Sequence, residues 1–261
     1  MTENKKVSNL EEYNNPALYD YENDGIREDI NFLMKHAAAT EGTIIELACG
    51  TGRVTVPLAE AGFQLAGVDI HKGMLDEAKG KSVNLPITWL EQDCTHLQLT
   101  LKSRLIYMAG NSFQHFLTNE DQDKLLKEVN KHLEDEGLFI FDTRFPSADE
   151  LLAPENQEEH WRTYEDPKEG KRVEVYTITS YDQTSQLQRN TMIRRMMDED
   201  GTVVRERQSD ITLRYVFPKE MERLLSSAGF EILESYGNWK ETPLTDKSTQ
   251  MVFVCRKVRG E

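Results

Sequence analysis

From Ile30 onward the apolar residues Leu33, Met34 and Ala37 recur at helical spacing and stop at Thr40-Glu41-Gly42, which predicts a helix leading into a domain. Ahead of it lies a tyrosine-rich stretch with Tyr13, Tyr19 and Tyr21. Thr43 to Leu47 is a short apolar run ended by a glycine-rich turn, and Val54 to Ala61 then reads as a helix whose first turn tolerates Pro57. Gln64 to Ile70, Ile87 to Glu91, Arg104 to Ala109 and Leu138 to Asp142 read as further strands. Gly73 to Lys79 and the amphipathic Asn119 to Leu133 are the helices between them. Strand and helix in alternation predict a parallel sheet.

Beyond about residue 145 the period changes to two. Val173 to Tyr181, Leu187 to Met197 and Thr202 to Tyr215 alternate apolar and polar residues, with turns at Asp182-Gln183 and Asp198-Glu199-Asp200-Gly201, which predicts antiparallel strands. Pro218 to Ala228 is then a helix closed by Gly229, and Glu231 to Tyr236 and Met251 to Arg256 are two more strands. The expected fold class is α/β: a Rossmann-like domain of residues 1–145 and 216–261, with an antiparallel β insert at about 146–215 on the edge where the strands end.

The chain has 261 residues, of which 38% are hydrophobic, enough for a substantial core. Its 31 basic and 46 acidic residues give a formal charge of −15, which repels a phosphate backbone and an anionic leaflet. The short basic pairs Lys171-Arg172, Arg194-Arg195 and Arg256-Lys257 read as solvated strand faces, so no nucleic acid is expected as partner. Met1 to Asn9 is polar, and no run of about 18 apolar residues occurs, so neither a signal peptide nor a membrane span is expected and the chain reads as cytoplasmic. Cys49, Cys94 and Cys255 are far apart and form no C-x-x-C pair, which predicts reduced thiols and no metal site.

The residues that carry chemistry stand where the first strand turns into the first helix: Glu46-Leu47-Ala48-Cys49-Gly50-Thr51-Gly52-Arg53. Glycines there let backbone approach a ligand closely, in the crevice that binds nucleotide-like ligands in open parallel sheets. Asp69, at the end of the second strand, is placed to accept hydrogen bonds from two ribose hydroxyls. Asp93, in Glu91-Gln92-Asp93-Cys94, closes the third strand, where a carboxylate can accept from an exocyclic amine and select adenine. Together they describe an adenosine pocket. A dinucleotide site would need G-x-G-x-x-G. Starting that pattern at Gly50 puts its third glycine on Thr55, and starting it at Ala48 puts it on Arg53, so NAD fits worse.

The spacing of Glu46, Ala48, Gly50 and Gly52 resembles motif I of class I S-adenosylmethionine-dependent methyltransferases, with Ala48 in place of a glycine. Met108-Ala109-Gly110-Asn111-Ser112, ending the fourth strand, and the glycine turn Leu133-Glu134-Asp135-Glu136-Gly137 continue the resemblance. It implies a seven-stranded methyltransferase sheet and S-adenosylmethionine as cofactor, with the loop at Gly50 beside the methionine moiety, Asp69 on the ribose and Asp93 beside adenine. The cofactor-binding set so implied is Tyr19, Glu46, Ala48, Gly50, Gly52, Asp69, Ile70, Asp93, Cys94, Gly110 and Asn111. The β insert and the Tyr19-Asp20-Tyr21 segment are similar to small-molecule methyltransferases, including amino-sugar N-methyltransferases.

The expected activity is therefore methyl transfer to a nitrogen or oxygen of a small-molecule acceptor, by a chain that pairs with a second copy if the insert's edge strands are used. His115 is the candidate general base for the acceptor's proton, or else a structural histidine at the pocket rim. Tyr19 and Tyr21 either close over the sulfonium or pack the N-terminal helix. Asp69 has a helix cap near Gly73 as its other reading, Asp93 a strand end in solvent, and Cys49 and Cys94 read as packing residues. Three competing functions remain: a regulatory protein that binds the cofactor without turnover, an NAD-dependent oxidoreductase, and a nucleic-acid methyltransferase with a hidden basic face.

Overall fold

The computed structural model describes residues 9–23, 25–151 and 157–259. Central strands are apolar on both faces because helices cover both sides of the sheet. In β1 (Ile44–Leu47) and β2 (Leu65–Asp69) every side chain is buried. Strands β3 (Ile87–Glu91), β4 (Ser103–Met108) and β5 (Leu133–Arg144) follow, and β10 (Phe230–Tyr236) and β11 (Gln250–Lys257) complete a seven-stranded sheet. Its order is β3-β2-β1-β4-β5-β11-β10, parallel from β3 to β5, with β11 antiparallel to both neighbours. The expected Rossmann-like methyltransferase sheet is thus present.

Alternate side chains of this sheet enter two cores. Ile45, Leu47, Ile106, Met108, Phe139 and Phe141 face the helices α5 (Asn119–His132) and α7 (Pro218–Ser227), which contribute Leu125, Val129, Met221 and Leu225. Ile44, Leu105, Tyr107 and Ile140 face α2 (Glu28–Ala38) and α3 (Thr55–Glu60), which contribute Leu33, Ala37, Leu58 and Ala59. The shorter α1 (Pro16–Asn23), in which no residue is fully buried, and α4 (Lys72–Lys81) complete this part. The chain runs outward from β1 to β3 and then returns to β4 on the other side of β1. Ligands bind beyond the carboxyl ends of the strands at such a reversal.

Two compact units divide the chain: residues 13–147 with 215–261 carry this sheet, and residues 1–12 with 148–214 form the other. The second contains the short α6 (Ala148–Leu151) and a four-stranded antiparallel sheet of β6 (Glu158–Glu165), β7 (Arg172–Asp182), β8 (Leu187–Met197) and β9 (Val203–Arg214), in that order. Val173, Val175, Met192 and Met196 make its apolar cluster. The carboxylate of Glu12 pairs with Arg194 and accepts from Ser209 of the same unit. The carboxamide of Asn9 bonds both the N–H and the C=O of Thr212, the two groups a further strand would use, and so shields part of the β9 edge.

Two elements depart from the periodicity. β6 joins the three expected insert strands as a fourth. Its side chains are exposed or half-exposed throughout, so it has no apolar alternation to detect. β5 starts at Leu133 rather than Leu138, and what reads as a glycine turn is an irregularity within the strand. Leu133 pairs with Ser103 and Leu138 with Leu105. Glu136 takes φ 64°, and a Cβ on Gly137 would stand 2.9 Å from the carbonyl oxygen of Glu134, so glycine fits there and larger residues do not.

Candidate functional site

After β1 the chain winds through three left-handed residues at alternate positions, Ala48, Gly50 and Gly52, with φ of 53°, 55° and 77°. Glycine adopts this conformation freely, whereas alanine loses about 1 kcal/mol. The winding turns the Gly50 N–H onto Asp69 Oδ2 at 2.8 Å, while the His71 N–H reaches Oδ1 at 2.7 Å. Asp69 therefore joins the loop after β1 to the turn after β2. A carboxylate offers about four acceptor positions, so lone pairs remain for hydroxyl donors. Burial pushes the Asp69 carboxyl up, and the two backbone donors act against it. The cap of α4 is His71, whose ring Nδ1 accepts from the Met74 N–H at 3.3 Å, so Asp69 does not serve that purpose.

Glu46 lies beneath the loop. Its Oε2 accepts from Thr55 Oγ1 in α3 and from Tyr107 Oη in β4, the latter at 2.9 Å, and burial pushes its carboxyl up to about 7. It fixes both ends of the loop. Gly52 has a packing constraint of its own: a Cβ there would stand 2.6 Å from Trp89 Cη2. The N-terminal segment is fastened to the same loop. Asp20 of α1 accepts from Thr51 and pairs with Lys81 at the end of α4, at 2.6 Å. Tyr19 stands among the charges of Arg53, Glu46, Asp69 and Asp20, and burial raises its phenol. Arg53 itself forms a buried ion pair with Asp29 of α2.

At the end of β3, Asp93 Oδ1 accepts from the Thr95 N–H at 2.8 Å and from its hydroxyl at 2.7 Å. The neighbouring Cys94 thiol is buried and pushed up to about 12, and burial raises the Cys49 thiol as well. Both stay protonated, as packing residues do. Ile70, next to Asp69, is 53% exposed.

The turn after β4 is left-handed at two successive residues, Gly110 (φ 74°) and Asn111 (φ 59°). The Asn111 N–H donates to Asp142 Oδ1 at 3.0 Å. The other oxygen of Asp142 accepts from Trp239 Nε1 at 3.3 Å and from Gln250 Nε2 at 2.7 Å. Asn111 Oδ1 is buried with no hydrogen-bond partner among the described residues. These groups border a cavity of about 280 Å³, whose lining also includes Arg53, Asp29 and Lys240. His115 closes the short turn Ser112–His115. Its Nε2 lies 2.9 Å from the hydroxyl of Tyr13, and desolvation pushes its imidazole down to about 4.

The structure thus brings Glu46, Ala48, Gly50, Gly52, Asp69 and Tyr19 around one loop and Gly110 and Asn111 onto the next turn, while Asp93 and Ile70 end the adjoining strands. Sequence reasoning overlooked Asp142, Trp239 and the partnership of Tyr13 with His115. An acid ending an apolar strand, as Asp69 does, was the available signal for Asp142. No local signal marks Trp239, which reaches Asp142 across 97 residues of chain.

The features present suit S-adenosylmethionine. The turn at Gly110 is exposed, and an added Cβ there would meet nothing within 4 Å, so backbone is open to a ligand at that point. The orphaned Asn111 oxygen suits an N–H donor. Among the described residues no group of His, Cys, Asp and Glu is arranged to hold a metal ion, and no helix is long and apolar enough to cross a membrane.

Comparison with known proteins gives a match to the methyltransferase domain family over residues 44–137. A Bacillus subtilis protein named as a methyltransferase, YqeM, is 34% identical over 104 residues, which are 39% of this chain and 42% of that protein. The chain thus spans less than half of that relative. The glycine/sarcosine N-methyltransferase of Aphanothece halophytica is 26% identical over 248 residues, 87% of this chain and 80% of that enzyme. Among solved structures, an S-adenosylmethionine-dependent methyltransferase from Clostridium acetobutylicum has TM-score 0.77 at 21% identity, covering 93% of this chain and 97% of its own. CalS10, an amino pentose methyltransferase from Micromonospora echinaspora solved with the cofactor bound, has TM-score 0.71 at 14% identity, covering 93% and 96%. The two structures share the fold. Residues 44–137 thus match a methyltransferase domain, and the seven-stranded sheet around them has the fold of S-adenosylmethionine-dependent methyltransferases.

Proposed function

We propose that the protein transfers the methyl group of S-adenosylmethionine to a small-molecule acceptor, with an amine nitrogen favoured over a hydroxyl oxygen. The observation that carries this reading is the bridge from Asp69 to Gly50, which sets a carboxylate, read here as the ribose acceptor, beside a left-handed glycine loop. The amine preference draws support from the named activities of the glycine/sarcosine and amino pentose enzymes.

When bound, S-adenosylmethionine supplies a methyl group already activated for in-line attack, which leaves the protein mainly to orient the reactants. In this reading the loop from Ala48 to Gly52 and the turn at Gly110 and Asn111 hold the amino-acid end, Asp69 holds the ribose, and Ile70, Asp93 and Cys94 border the adenine. Tyr19 closes the loop side. His115, uncharged at neutral pH, adds no positive charge beside the cofactor's sulfonium and can take a proton at Nε2 relayed by the Tyr13 hydroxyl.

The test is release of S-adenosylhomocysteine during incubation with separate panels of small amines, small hydroxylated compounds, NADH-linked substrates and RNA. Turnover confined to small amines supports the proposal. Tight cofactor binding without turnover on any panel would point to a regulatory protein, and turnover on RNA that salt suppresses would point to a nucleic-acid enzyme.

A further inference from the structure

Two successive left-handed residues make the turn after β4 unusual. Asn111 lacks the freedom of glycine at φ 59°, so something must hold it there. Among the described residues its N–H donates to Asp142 Oδ1, in the neighbouring strand. The opposite oxygen of the same carboxylate is gripped by Trp239 and Gln250. Trp239 in turn packs edge-on against Phe32 of α2, ring centroids 5.4 Å apart. One buried carboxylate thereby joins the turn to the β10–β11 connection and to α2.

We propose that Asp142 is a positioning residue, whose ionised carboxylate keeps the Gly110–Asn111 turn in its ligand-binding conformation with the Asn111 oxygen presented to the cofactor. This rests on the cofactor reading of the loop. All three partners are donors, so the ionised carboxylate satisfies them together, whereas a protonated one must give up acceptor capacity to one of them. Burial holds this carboxyl up at about 7, so the exchange occurs near neutrality. The charges facing it are Arg53 from the β1 loop and Asp29 from α2, already paired with each other. The Lys240–Glu28 pair, 3.2 Å apart, lies on the cavity wall. Below about pH 7 the turn loosens and cofactor affinity falls.

The experiment is titration with S-adenosylhomocysteine from pH 5.5 to 8.5 on the wild type, Asp142→Asn, Gln250→Ala and Glu46→Gln. The wild type is expected to lose about tenfold in affinity toward pH 5.5. Asp142→Asn is near-isosteric and cannot ionise, so it should bind weakly with most of that pH dependence gone. Gln250→Ala removes a donor from the ionised form and should move the midpoint to higher pH, a shift that mere loss of packing would not produce. Glu46 also titrates near 7, so Glu46→Gln serves as reference and should keep the Asp142 component. A wild-type profile in Asp142→Asn, or an unmoved midpoint in Gln250→Ala, would overturn the inference alone. Failure of the folded wild type to bind at any pH would overturn the cofactor reading and this inference with it.

Discussion

Gly67 of β2 lies flat against the indole of Trp89 in β3: a Cβ built on it would stand 2.5 Å from Trp89 Cζ3 and 2.6 Å from Cε3. Trp89 is anchored by its Nε1 donating to Ser82 Oγ at 3.0 Å, so the ring cannot easily withdraw. Gly67→Ala is expected to cost about 1–3 kcal/mol through overpacking. In a Trp89→Ala background the same change should cost much less, giving a coupling of about 1 kcal/mol or more in a denaturation double-mutant cycle. Additive effects would mean that the ring does not set the glycine.

The three left-handed loop positions should respond in a fixed order. Gly52→Ala combines φ 77° with the approach to Trp89 and should destabilise most, by roughly 2 kcal/mol or more. Gly50→Ala meets only Met74 Cε, at 3.3 Å, and should cost less. Ala48→Gly removes about 1 kcal/mol of conformational strain and adds a similar entropic cost, so thermal melting should place it close to the wild type.

Glu46 holds its proton more tightly folded than unfolded, because burial raises its carboxyl from 4.5 to about 7. Its contribution to stability is therefore greatest below about pH 4.5 and is lost as pH rises to 7, by an amount on the order of 3 kcal/mol. Melting curves of the wild type and Glu46→Gln across pH 5 to 8 check this. The wild type should lose ground against the variant as pH rises, and a constant difference would show that Glu46 titrates normally.

For His115 the sign is opposite. Its imidazole is pushed down to about 4, so it stays neutral well below the usual histidine range, and folding loses stability from it only as pH falls from 6.5 toward 4. If it accepts the acceptor's proton, the acid limb it contributes to kcat belongs near 4 rather than 6.5. His115→Gln and Tyr13→Phe should each lower kcat, by about 10²-fold for the histidine. An unchanged kcat in both would leave the pair a structural one.

The core strands were legible because their residues are buried on both faces: Ile44 to Leu47 and Leu138 to Asp142 are apolar runs that no other element explains. β6 was not, since Trp161 and its neighbours are largely exposed and no period survives. Half of the site was readable for a related reason. A glycine such as Gly50 or an acid such as Asp69 stands out at a strand end because local backbone geometry selects it. Asp142 ends an apolar run, though the strand continues to Arg144, and what distinguishes it is contact with Trp239 and Gln250, made by chain folding back from beyond residue 230; local pattern carries no trace of such contacts. The hydroxyl of Tyr13 on His115 is hidden likewise, across 102 residues.

The most direct measurement is calorimetric titration of S-adenosylmethionine, S-adenosylhomocysteine and NADH into the wild type and into Asp69→Ala. The bridge from Asp69 to Gly50 predicts that the first two bind the wild type, that NADH does not, and that a folded Asp69→Ala loses about tenfold or more in affinity as the amides of Gly50 and His71 are left without their acceptor. Equal binding to both proteins, or no binding to a folded wild type, would contradict the assignment of this loop as the cofactor site.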